Sequence, residues 1–148
     1  MAGKVKLTLK GFDLLLDQIN EAGGSIESAT ERALESSAQL VTQEIRTGAQ
    51  QRNLDTDSLI NPKPKWSGNR CSVEVGFELG AYDSKNPSNG YLALFKEYGT
   101  AKRSTSKGAN RGKVTADPFI RPAITDNKKA IHKAQETALE RILKGLKG

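Results

Sequence analysis

The sequence holds one cysteine, Cys71, and one histidine, His132, in 148 residues. That scarcity excludes an internal disulfide, leaves too few ligands for a Cys/His zinc site and suits a reducing compartment. Aromatic residues make up 5% of the chain and apolar residues 36%. A core built from so little is small, so part of the length is expected to be loop, terminal arm or surface covered by partner chains. No apolar run approaches the roughly 18 residues of a membrane span, and no signal-peptide core is present. A soluble product, made inside the cell and without a membrane partner, is the expectation. Ser106 to Lys113 contains glycine and lysine but not the spacing of a phosphate-binding loop.

What is present is positive charge. A net charge of +6 and a pI near 9.5 favour an anionic partner. The length fits one domain, 1–148. Val5, Leu7 and Leu9 alternate with polar residues as in a half-buried strand. Phe12 to Ala22 reads as a short helix with Phe12, Leu15, Leu16 and Ile19 on one side. Ser25 then caps a second helix to about Ala49, whose alanine-rich stripe allows close packing. Gln50 to Lys65 is a polar connection anchored by Leu54, Leu59 and Ile60. Trp66 opens an edge strand, Ser67-Gly68-Asn69 turns, and Cys71, Val73, Val75 and Phe77 give the clearest strand of all. Gly80 to Gly90 is a loop. Pro122 to about Leu146 is read as the longest helix, with Ile124, Ile131, Ala134, Ala138, Ile142 and Leu146 on its buried face. The fold expected is α+β: a small antiparallel sheet packed by two N-terminal helices and one long C-terminal helix.

Catalytic inventory is thin. His132 lies on a lysine-rich part of the last helix and reads as solvated, and Cys71 reads as a small core hydrophobe. Glu74, Glu78 and Glu97 are the remaining acid–base candidates, but Glu74 and Glu78 fall on the polar face of a strand. No nucleophile with an adjacent base is visible. The chain is therefore read as no enzyme, with no catalytic, metal or cofactor site.

The most informative stretch runs from Tyr91 to Ile124. Its apolar first part stops at Gly99-Thr100, where glycine points to a positive φ and a sharp turn. Its last part opens a helix: Asp117 is placed to cap, Pro118 suits a first helical position, and Pro122 fits only within the opening turn. Between them 101–115 carries Lys102, Arg103, Lys107, Arg111 and Lys113 and no acidic residue. This reads as a mobile basic loop on two ordered anchors. Without an aromatic to stack on bases, it suits contact with phosphates or an acidic partner surface.

The blocks Phe95-Lys96-Glu97-Tyr98-Gly99-Thr100 and Pro118-Phe119-Ile120-Arg121-Pro122-Ala123, with the opening Val5 to Leu16, carry a resemblance over nearly the whole chain. It resembles the small tail-component (neck or tail-completion) family of long-tailed double-stranded DNA phages and prophages. Asp57 stands where that family has a glycine, and the 101–115 loop is longer than usual. The resemblance implies a virion structural protein at the head–tail junction, assembled in the host cytoplasm. It further implies a homo-oligomeric, commonly hexameric ring. That ring would touch head-closure, tail-terminator or tail-tube proteins, with genomic DNA in its lumen. On that reading Phe95, Tyr98 and Phe119 anchor the turn and the last helix. Glu97 and Arg121 are candidates for a charge pair within or between subunits, and the five cations face DNA or an acidic partner. The alternative is a free-standing basic nucleic-acid-binding protein.

Overall fold

The computed structural model describes residues 4–80, 82–83, 85–100, 103–104, 110–112 and 115–147, the backbone alone at 103–104 and 110–112. Three antiparallel strands form a sheet in the order β1-β3-β2. β1 (Lys4–Leu7) pairs with the second half of β3 (Arg70–Gly76), which sets Leu7 opposite Val73 and Val5 opposite Val75. β2 (Lys65–Ser67) pairs on the other side with the first half. Gly68 turns the chain between them at φ +63°, a conformation that glycine adopts without steric cost. The two-residue period then sorts the faces. Leu7, Cys71, Val73, Val75 and Phe77 are buried on the inner one, and Lys6, Lys65, Ser72 and Glu74 stand on the outer.

The inner face is covered by α2 (Ile26–Gln51), capped by the Ser25 hydroxyl, which accepts the Ser28 N–H at 3.1 Å. Its stripe of Ala29, Ala33, Leu34, Ala38, Val41, Ile45 and Ala49 is fully buried. Alanines on this stripe let the sheet approach from one side and α5 (Lys128–Lys147) from the other. α1 (Asp13–Glu21) completes a second apolar cluster, in which Phe12 and Ile19 meet Ala29, Ala33 and Leu139. The architecture is α+β, with the helices on one face of a small antiparallel sheet.

Three sequence expectations change. The C-terminal helix is two: α4 (Ile120–Thr125) and α5, separated at Asp126-Asn127. The Asn127 side chain donates to the Ala123 carbonyl at 3.0 Å, capturing the acceptor that a continuous helix would give to the Asn127 N–H. The longest helix is consequently α2, at 26 residues. On α5 the buried line is Ile131, Gln135 and Leu139, while Leu146 is 39% exposed. Gln135 is tolerated there because its amide donates to Ser37 Oγ and to the Thr8 carbonyl. His132 is exposed, as the sequence indicates, with its ring stacked on Phe12 at 4.6 Å.

Candidate functional site: a carboxylate clamp at the base of the basic segment

Tyr91 to Tyr98 is helical, within α3 (Asn89–Tyr98). Ser88 caps it, accepting the Tyr91 N–H at 3.3 Å while donating to the Leu79 carbonyl at 2.6 Å. Gly90 lies so close to the Glu78 carbonyl that a Cβ would collide with backbone. These contacts turn Ala93, Leu94 and Glu97 inward. Leu92 points outward, 42% exposed, and the Phe95 ring is half-buried beside Tyr91. The helix ends at Gly99 with φ +77°, as the sequence indicates, its N–H bonded to the Phe95 carbonyl; Thr100 follows, half-buried.

Glu97 is fully buried, and its carboxylate does the capping assigned from sequence to Asp117. Oε1 accepts the N–H groups of Phe119 and Ile120 at 2.6 and 2.7 Å. Oε2 accepts the N–H of Arg121 at 3.1 Å and its Nε at 2.8 Å. Three donors at the start of α4 with no partner in their own helix are thus satisfied from another helix, and the negative charge sits at the positive end of the helix dipole. Burial, the largest single influence on this carboxyl, pushes its pKa up. The bonds from Ile120, Arg121 and Phe119 outweigh it and hold the group below the usual carboxylate range. The Arg121 guanidinium, half-exposed, lies 4.6 Å from the Tyr98 ring centre. The charge pair foreseen between Glu97 and Arg121 lies within one chain.

Asp117, displaced from the cap, takes part in a second tie. Its N–H donates to the Lys96 carbonyl at 2.8 Å, and its carboxylate pairs with Arg52 Nη2 at 2.9 Å. Arg52 also donates to the carbonyls of Gly48, Asp117 and Pro118 and lies over the Phe119 ring. Pro118 is non-helical and precedes the helix, with Phe119 at the cap position. The Phe119 side chain rests on Gly48, where an added Cβ would come within 2.9 Å of the Phe119 Cβ and 3.1 Å of the ring, and the ring meets Phe77 edge-on at 6.2 Å. Pro122 falls in the first turn of α4, where its missing N–H costs little.

The ends of the basic segment therefore meet at Lys96–Asp117. Within it, Arg103–Ser104 (β4) and Asn110–Gly112 (β5) pair antiparallel, so Arg103 and Arg111 sit on a short ladder where sequence indicated loop. Lys102, Lys107 and Lys113 lie outside the described residues. Of the other candidates, Glu78 pairs with Lys4 at 3.3 Å and Glu74 stands opposite Lys6, both far along the chain from Glu97 and on the outer sheet face. Cys71 is buried, and that burial, with the nearby Glu31 carboxylate, pushes its thiol above the usual range. Among the described residues no three His, Cys, Asp or Glu side chains group closely enough to hold a metal ion. No helix among them is long and apolar enough to cross a membrane.

Sequence reasoning missed Arg52, Gly48 and Gly90. An arginine just past a helix end and two glycines inside helices carry no periodic signal, and only the approach of a distant segment gives them meaning. Comparison with protein-family models, curated proteins and solved structures finds no match.

Proposed function

We propose that the chain is a structural subunit of a phage head–tail junction, a neck, tail-completion or tail-terminator protein that closes into a homo-oligomeric ring around the DNA channel. The observation that carries this reading is the clamp. The two blocks on which the resemblance rests, Phe95–Thr100 and Pro118–Ala123, are separate in sequence and form one hydrogen-bonded unit through Glu97. That unit ties together the residues flanking the basic segment, through the Asp117 N–H and the Lys96 carbonyl.

The surface supports the same reading. All three tyrosines and one of the four phenylalanines lie between residues 82 and 98. Tyr82 packs edge-on against Tyr91, Tyr91 adjoins Phe95, and with Leu92 they form a ridge along α3. Elsewhere, a groove of about 1170 Å³ runs between the start of α2 and the β2–β3 turn, lined by Leu9, Leu16, Ile26 and Trp66. A ring built from head-to-tail contacts needs two different complementary patches on each subunit, and a ridge and a groove are such a pair.

Light scattering on the purified chain, with and without short duplex DNA and at two salt concentrations, tests the reading. A closed oligomer, or a monomer that assembles on isolated tails, is the expected result. A stable monomer or dimer that binds free duplex tightly with a steep salt dependence would replace it with the free-standing nucleic-acid-binding protein.

A further inference from the structure

We propose that the outer face of the three-stranded sheet is a contact surface for the phosphate backbone of duplex nucleic acid. The inference rests on the ring reading only in supplying a duplex; the chemistry comes from the sheet. Antiparallel pairing places Lys6 beside Glu74, Lys65 beside Ser72, and Arg70 beside Ser67 on this one face. Lys4, Lys63 and Lys65 line a cavity of about 370 Å³ there, with Ser72, Glu74 and Glu78. Glu78 is paired with Lys4 at 3.3 Å, and Glu74 stands opposite Lys6 in register without an ion pair among the described residues. The cations Lys4, Lys6, Lys63, Lys65 and Arg70 thus outnumber the carboxylates on this face. Lys6, Lys63, Lys65 and Arg70 are exposed, and none has a salt-bridge partner among the described residues.

Two features select a polyanion over a folded protein partner. Residues on one face of a strand recur about every 7 Å, close to two axial phosphate steps of a nucleic acid strand. Protein docking sites are centred on a buried aromatic or aliphatic anchor, and the cavity lining offers only the half-buried Ile60. Lysine and arginine without a stacking ring or a base-reading amide contact phosphates and carry no sequence preference. These side chains lie outside 101–115 in the sequence, so the basic character of the chain does not reside in that segment alone.

The test is binding of the full chain to two short duplex DNAs of unrelated sequence over a salt series, for wild type and for a Lys6→Gln/Lys63→Gln/Lys65→Gln/Arg70→Gln variant. The slope of log K against log salt is expected to fall by about 3 to 4, with roughly tenfold or greater loss of affinity for both sequences alike. If the quadruple variant does not fold by circular dichroism, Lys65→Gln alone is expected to lower the slope by about 1. An unchanged slope, or tighter binding of poly-glutamate than of duplex by the wild type, would overturn the proposal. Light scattering on the same samples keeps the two readings apart. An assembled variant with the wild-type slope removes the sheet face and leaves the ring, whereas a monomer that loses duplex binding with these side chains removes the ring and supports the face.

Discussion

Glu97 keeps its charge in a fully buried site because four donors converge on its two oxygens. A glutamine there would retain one acceptor oxygen but turn an NH₂ toward the Arg121 N–H and Nε, donor against donor. Glu97→Gln is therefore expected to destabilise the fold by about 2–4 kcal/mol at neutral pH, the range for breaking a buried charged hydrogen-bond network. Chemical denaturation measures it, and equal stability of the two proteins would mean that the clamp contributes nothing. Its folded pKa lies below the ordinary 4.5, so the stabilisation is present in full above that value. It drains away as pH falls from 4.5 through the lower folded value. Wild type should lose stability over that interval more steeply than Glu97→Gln, which has no such group to protonate.

At the scale of elements, α3 is positioned by what touches its ends. Gly90→Ala illustrates the balance: alanine favours an isolated helix by about 1 kcal/mol over glycine. Here the added Cβ meets the Glu78 carbonyl, which is backbone and cannot rotate away. Displacing α3 is expected to win, at a net cost of about 1–3 kcal/mol, read as a lowered melting temperature. How much of this was legible in the sequence depends on range. Strand alternation in β3, the Ser25 cap and the Gly99 stop are written in neighbouring residues and emerge as read. The break at Asp126-Asn127 is also local, but a competing side-chain bond to Ala123 overrides a continuous apolar pattern. The cap of α4 was assigned to Asp117 because the rule for capping looks to the adjacent residue. The true acceptor lies 22 positions upstream. Of the candidate site, residue types at Glu97, Arg121 and Phe119 were visible; their joining, and the parts of Arg52 and Gly48, depend on tertiary contacts.

For the whole molecule, the proposed ring makes the α3 ridge a shared surface. Leu92 is 42% exposed and outside the core clusters, so Leu92→Glu should leave the melting temperature of the isolated chain unchanged. A charge placed at the centre of an apolar contact should nevertheless drive the oligomer to monomer in light scattering. Retention of the oligomeric mass would show that the ridge is not where copies meet.

The hydrogen bond from Asp117 to Lys96 has one more consequence. Because Lys96 and Asp117 are fastened to each other, and Asp117 to Arg52 at the end of α2, the scaffold fixes the points between which the basic stretch must close, whatever its length. Each doubling of such a closed loop adds only about 0.6 kcal/mol of closure entropy. Related chains can therefore lengthen, shorten or recode this insert to suit a different neighbour while inheriting the same scaffold, which makes it the natural place for divergence.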